Sequence, residues 1–372
     1  VRLRLPLVPA VLLVLLLVAP PASAARWRDA GRSVIPIDYY QGVTSDPVGH
    51  LWFDGIQFGL YRTAPDLTET GRVPDIIPAE ITASEGYNHI GDLSYAKPGV
   101  LLPMECYDPQ ANPTNTCGTG SIGVADPVTL AWRYYVKLDP ADIPKAMWCE
   151  VSPDGRLVWT SSGNDLLAYA ISDLSIAHAA PGAAPIRPVK RLRNAVPPSG
   201  VTGATFYAGR LFLAGSVDSA FQVWSVDTTT GKRRLEIERT FSGESEGLDS
   251  LRGLGGTLHW QIQPITATPP PTYAEPSLLH FLPTPAPRLT VRAAPGTVPG
   301  GRRTRLRLTV LGAWRAPLEP LPGARVTAGS AEATTRANGV AVVTVRAPRA
   351  GSLTVRATAL GEAPGTVTLA VR

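Results

Sequence analysis

The chain has 372 residues, 44% of them hydrophobic and 17% charged, with 37 Pro, 35 Gly and a net charge of +5. A chain of this length favours two domains over a single core. Helix breakers at this frequency exclude an α-rich protein and favour short strands joined by turns. Only Lys97, Lys137, Lys145, Lys190 and Lys232 are lysines, so nearly all the basic residues are arginine. That bias is one of composition and is not in itself a phosphate-binding signature.

At the start, Arg2 and Arg4 precede an unbroken apolar run over 11–18, and the segment 20–25 reads PPASAA. A basic region, a short apolar stretch and a small-residue end are the layout of a secretory signal peptide. The apolar run is too short to span a bilayer comfortably. The expectation is a signal peptide over 1–25 and an exported product, secreted or cell-envelope associated. No transmembrane segment is expected after its removal.

Beyond it, a Gly followed by a β-type run recurs five times, at Gly49, Gly99, Gly155, Gly209 and Gly256, with spacings of 50, 56, 54 and 47. Each is read as the turn of a hairpin. A short strand precedes each copy, over 42–45, 91–95, 148–152, 203–207 and 248–251, and a third follows, over 59–62, 120–125, 165–170, 221–226 and 277–282. Fourth strands are legible at 132–138 and 232–241, and faintly at 75–81 and 188–193. Four antiparallel strands every ~50 residues form the blade of a β-propeller. The last copy lacks a fourth strand, and an orphan strand over 33–37 is expected to complete it and latch the ring. Five blades over 26–283 follow. Six is the alternative if 179–201 or 71–84 hides a degenerate blade. Pro36 suits an edge strand, which an outermost strand is.

Cys106 and Cys117 flank a Pro/Asn/Thr-rich loop and are expected to form a disulfide, with Cys106–Cys149 the competing pair. Thr284-Pro-Ala-Pro287 reads as a linker. After it, seven short alternating strands over 288–372 predict an immunoglobulin-like β-sandwich. Pro322-Gly-Ala-Arg-Val326, the run 335–345 and Gly351-Ser-Leu-Thr-Val-Arg356 resemble bacterial Ig-like domains, a resemblance that implies a spacer or adhesion module. Residues 287–372 carry 13 Arg and 3 Glu, whereas 26–286 carry a net charge of −7. The basic module could therefore adhere to an anionic cell-envelope polymer. No nucleic-acid partner is expected, because no aromatics interleave its arginines.

In a propeller the innermost strands line a central channel, and their first residues reach its mouth. Those segments are unusually polar here. Tyr40, Gln41, Tyr87, Glu105, Trp148 and Glu246 are the expected ligand-binding residues, for a small molecule or glycan. His89, with Asp92 or Glu105 nearby, is the candidate general base. Carboxylates and amides converging from several blades are oxygen donors suited to Ca2+. The layout resembles propellers of the gluconolactonase/paraoxonase kind, or of the NHL/YVTN kind. In the gluconolactonase/paraoxonase family, Glu, Asn and Asp from separate inner strands hold a calcium that polarises a lactone or ester carbonyl. The positions that resemblance implies are Asn88, Glu150, Asn164 and Asp249. Gly243-Glu-Ser-Glu-Gly247 spells a G-x-S-x-G elbow, but no helix follows Ser245. Three functions remain: a monomeric exported propeller that binds a ligand at its channel mouth, a calcium-dependent lactonase or esterase using the same pocket, and a non-enzymatic adhesion protein.

Overall fold

The computed structural model describes residues 26–55, 59–111, 114–179, 182–265 and 273–372. The signal-peptide reading lies outside them. The described chain is nearly all β, with helices only at Ala79–Glu85, Ile171–Asp173 and Ile176–Ala179.

Five antiparallel sheets follow one another along the chain up to Thr284. In the first, the strands Gly42–Ser45, Leu51–Asp54, Leu60–Thr63 and Glu69–Val73 pair in sequence order. The third and fourth sheets repeat that order from Glu150–Val151 and Gly203–Tyr207. In the second, the innermost strand is broken into His89–Ile90 and Ser94–Ala96, both paired to Gly99–Glu105. Burial grades outward: Gly42–Ser45 is wholly buried and Glu69–Val73 largely exposed. This is the gradient of sheets packed face to face about an axis.

The innermost strands are joined laterally around that axis. The Tyr95 N–H donates to Thr44 Oγ1 (3.0 Å) and the Val151 N–H to Ser94 Oγ (3.1 Å). The Phe206 N–H donates to Glu150 Oε1 (3.1 Å), and Thr205 Oγ1 to Ser250 Oγ (3.1 Å). The last sheet meets the first where a Cβ on Gly247 would lie 2.6 Å from Val43 N and 2.9 Å from Gly42 Cα. A channel this narrow needs glycine where strands converge. The arrangement is of the β-propeller kind.

One side chain ties the strands at the centre. The break at Gly91 turns the Asp92 carboxylate into the axis. It accepts N–H donors from Val43 (3.0 Å), Ala204 (2.7 Å) and Leu248 (3.4 Å), in the first, fourth and fifth sheets. Its backbone bonds Met147 and Cys149 of the third. Asp92 therefore touches the innermost segment of every sheet.

The ring is closed from the N-terminal side. Arg26–Val34 pairs antiparallel with Ser277–Thr284 and becomes the outermost strand of the fifth sheet. The latch expected over 33–37 thus lies earlier, and Pro36 falls in a turn after it, where its carbonyl accepts the Tyr39 N–H. A buried chain of protons fixes this seam. Ser33 Oγ lies 2.9 Å from His280 Nε2, His280 Nδ1 2.8 Å from His259 Nδ1, and His259 Nε2 2.7 Å from the Leu251 carbonyl. Since that carbonyl only accepts, His259 Nε2 carries a proton and its Nδ1 accepts one from His280. Burial, then His280, lowers the His259 pKa to about 3, and burial lowers that of His280 to about 4.

Both imidazoles stay neutral in the fold and charge more readily when unfolded. Their contribution is complete above about pH 6.5 and is lost as pH falls toward 4. The slope is at most about 1.4 kcal/mol per pH unit for each imidazole. Buried carboxyls pushed upward, such as Asp249 at about 6, act in the opposite sense. Denaturant titrations between pH 7 and 4.5 are expected to fall less steeply in His259→Gln/His280→Asn than in the parent. Equal slopes would refute this account.

Other elements differ from the sequence reading in particular places. The fourth strand expected over 75–81 is Glu69–Val73, and a helix, Ala79–Glu85, occupies the segment after Pro78. The inner strand expected over 248–251 is Gly243–Asp249. Among the described residues, 71–84 and 182–201 add no further sheet. Cys106 and Cys117 are disulfide-bonded (Cα–Cα 5.4 Å), and Cys149 is free and buried.

After Thr284 two sheets face each other. One holds Thr290–Ala294, Arg303–Gly312, Glu319–Pro320 and Val340–Arg346. The other holds Thr297–Val298, Arg325–Ala328, Ala331–Thr334, Gly351–Thr358 and Gly365–Val371. Leu306, Leu308, Val310, Val326, Val343 and Val355 are buried between them. This module is docked on the ring. Arg252 of the ring bonds Glu362 Oε1 (2.6 Å) and the Leu360 carbonyl (2.8 Å), and Trp314 Nε1 donates to the Ser250 carbonyl.

Candidate functional site

The two ends of the channel differ. At the end where the innermost strands finish, Arg315 enters from the C-terminal module and donates to Glu150 Oε1 and the Val151 carbonyl. Glu150 also accepts from Ser94 Oγ (2.6 Å) and from the Phe206 N–H. Asp249 lies within the field of both Glu150 and Arg315. This end is corked.

At the other end, where the innermost strands begin, there is a cavity of about 220 Å3. Gln41, Glu105, Tyr107, Glu244, Glu246 and Tyr273 line it, with His89 and Met147 beside them. Antiparallel pairing explains the set. Glu105 ends the strand Gly99–Glu105 and stands opposite His89, which begins the innermost strand. Glu244 and Glu246 both reach the cavity from the strand Gly243–Asp249, Glu246 at the irregularity that interrupts its pairing between Ser245 and Leu248.

The wall is rich in acceptors. Gln41 Nε2 donates to Glu246 Oε2 (3.3 Å), and the Tyr273 hydroxyl to Glu244 Oε1 (2.9 Å). His89 Nδ1 lies 3.2 Å from Glu105 Oε1 without hydrogen-bond geometry, and Lys145 Nζ lies 3.8 Å from Glu105 Oε2. Glu105 is buried, and its Oε2 has no hydrogen-bond partner among the described residues. Burial, and then the Glu244 carboxylate beside it, push the Glu246 carboxyl well above the usual range. Tyr40 stacks on Tyr273 at 6.0 Å between ring centroids, and Tyr107 lies 5.3 Å from His89. Below the mouth, Asp54 is wholly buried with both oxygens unpartnered, and burial raises its pKa well above the usual range.

Of the residues singled out from sequence, Tyr40, Gln41, His89, Glu105 and Glu246 are brought together at this mouth. Trp148 is not. It is fully buried, its indole donating to Ser161 Oγ (2.8 Å), in the segment just before the third sheet's first strand. Tyr87 is likewise buried, on Ser121 Oγ (2.5 Å). Asp92 has its carboxylate committed to backbone N–H groups, so Glu105, and not Asp92, faces His89. Ser245 is buried and accepts from Trp260 Nε1 and Thr202 Oγ1, both at 3.1 Å, inside a strand and not at an elbow.

The four calcium-ligand positions do not meet. Asn88 closes its amide on the Tyr107 backbone (2.6 and 2.8 Å). Glu150 is satisfied at the corked end, Asn164 is exposed beyond the strand Leu157–Ser162, and Asp249 lies near the cork. Among the described residues no group of three or more His, Cys, Asp or Glu side chains is placed to hold a metal. This donor set does not fit calcium.

Glu244, Tyr107, Tyr273 and Lys145 were not singled out from sequence. The two-residue spacing of Glu244 and Glu246 was the available signal. The two tyrosines come from loops whose course no local pattern fixes.

No protein-family model and no curated protein sequence matches the chain. Among solved structures, the chain is similar to the glutaminyl cyclase of Myxococcus xanthus at 11% identity, with TM-score 0.41, covering 70% of this chain and 97% of that one. It is similar to an engineered GH43 glycoside hydrolase at 11% identity and TM-score 0.41, covering 90% and 87%. A glucose dehydrogenase gives 11% and 0.38, covering 69% and 98%. These neighbours are propeller-type folds. The site described here rests on the chain's own strand order and side-chain geometry.

Proposed function

We propose that the protein is an exported five-bladed propeller, carrying an Ig-like module, that binds a small donor-rich molecule at its open channel mouth. Such a ligand presents several hydroxyl groups or an ammonium group. The observation that carries this reading is the gathering of three glutamates, Glu105, Glu244 and Glu246, around one cavity, where Glu105 Oε2 faces the Lys145 ammonium at 3.8 Å and accepts no hydrogen bond among the described residues. A carboxylate so placed has acceptor capacity left for a donor on a ligand. Glu244 and Glu246 supply further acceptors, and Tyr40 and Tyr273 a stacking edge for a sugar ring or a cation. Export is proposed from the segment 1–25.

A second reading is hydrolytic. Burial favours the neutral, acid form of the Glu246 carboxyl, which suits a general acid, with Glu244 or Glu105 as the second carboxyl group. Calorimetric titration of a panel of mono- and disaccharides and small primary amines separates these readings. Binding without turnover is expected for the first, and cleavage of an aryl glycoside or ester that is lost in Glu246→Gln for the second. Tyr273→Ala removes a half-exposed ring and should weaken binding while leaving the melting temperature unchanged. If no panel member binds, or if Tyr273→Ala binds as the parent does, the mouth is not the site.

A further inference from the structure

The two outer faces of the C-terminal module carry opposite electrostatic characters. On the strand Arg303–Gly312, residues alternate between core and solvent, and the outward positions begin Arg303, Arg305, Arg307. The neighbouring strands add exposed Arg346, directly opposite Arg303, and Arg292, opposite Thr309. Five exposed arginines thus share one sheet face. None of the five is ion-paired among the described residues; Arg346 Nε donates only to the Gly301 carbonyl (3.0 Å).

The other sheet is an internal control with the same composition bias. Its outer face presents Thr354, Thr366 and Thr368 with only Arg325 and Arg356, and Arg325 is paired with Glu332 at 2.5 and 2.6 Å. The module's other two glutamates are engaged elsewhere, Glu362 on Arg252 and Glu319 on the Ala316 N–H. A general preference for arginine would populate both faces alike. Placing Arg303 opposite Arg346 sets like charges across a strand pair, which is destabilising unless an anion screens them.

We infer that this arginine face is a binding surface for a linear polyanion bearing phosphate groups along its chain. Alternate residues on a strand stand about 6.8 Å apart, so the row Arg303, Arg305 and Arg307 offers three guanidinium groups along one line. Each can hold a phosphate bidentately. The rest of the face, Thr309, Val342 and Thr344, is flat and carries no aromatic side chain. The module's single aromatic, Trp314, is buried against the ring. The face therefore lacks both a wedge for a lipid surface and a platform for bases, and recognition is by charge along the polymer.

The test uses the full chain and long-chain inorganic polyphosphate, with affinity measured by titration at several salt concentrations. Arg303→Gln/Arg305→Gln/Arg307→Gln is compared with Arg325→Gln/Arg356→Gln on the opposite sheet, and thermal melts check folding. The first variant is expected to melt no lower than the parent and to bind roughly tenfold more weakly. Its dependence on salt should also be shallower, by about 0.7–0.9 in slope for each phosphate that an arginine no longer neutralises. The second should bind as the parent does. Failure of the parent to bind polyphosphate, equal weakening in both variants, or tight binding of the parent to phosphatidylglycerol vesicles without binding to polyphosphate would each overturn the inference.

Discussion

Asp92→Ala should be the most damaging single substitution in the ring. The carboxylate is wholly buried and accepts backbone N–H groups from three other sheets. Truncation leaves the Val43, Ala204 and Leu248 donors facing a void. At about 1–3 kcal/mol for each buried unsatisfied group, three stranded donors give an expected loss of about 3–9 kcal/mol. That is a large share of the stability of an ordinary domain. Asp92→Asn keeps one accepting oxygen and turns an N–H pair toward N–H donors, so an intermediate loss is expected. Denaturant midpoints decide the matter: an Asp92→Ala protein within about 1 kcal/mol of the parent would remove the central-pin account.

The second large effect is expected at Arg315. Its guanidinium is the cation closing the far end of the channel on Glu150. Arg315→Met strands that buried carboxylate, and breaking one side of such a pair typically costs about 3–5 kcal/mol. In Glu150→Gln/Arg315→Met the stranded charge is gone, so part of the loss should return. A double-mutant cycle measures the coupling. Additive losses in the two single variants would mean that Arg315 acts through packing alone. Because the pair sits at the opposite end from Glu105 and Glu246, ligand binding at the open mouth should survive in the folded fraction of Arg315→Met.

The ring was legible in the sequence because its signals are local. A Gly-closed hairpin and alternating strands leave a mark about every 50 residues. The starts of the innermost strands could then be ordered without knowing the sheet geometry, and Gln41, His89 and Glu246 were found that way. What was not legible depends on distance in three dimensions. Nothing around Asp92 indicates that its carboxylate serves three other sheets, since its partners lie 49, 112 and 156 residues away. Arg315 counted as one more basic residue of the C-terminal module, although its side chain belongs functionally to the channel. Trp148 and Tyr87 stand next to mouth residues in sequence, but each lies in the segment just before an innermost strand and is buried in the packing between sheets. The displaced closing strand has a simple cause: Gly31 introduces a register shift opposite Phe281 and His280 and interrupts the alternation that would have marked 26–34 as a strand.

That closing strand also has a meaning for biogenesis. On the ribosome, the nine residues Arg26–Val34 are made first and their partner Ser277–Thr284 more than two hundred residues later. Throughout that interval the strand Arg26–Val34 is without its partner, and the final sheet, until the two meet, presents a bare rim. Topology of this kind folds slowly. The circle is completed only once both segments have been made and meet, so the ring is the last feature of this part of the fold to form.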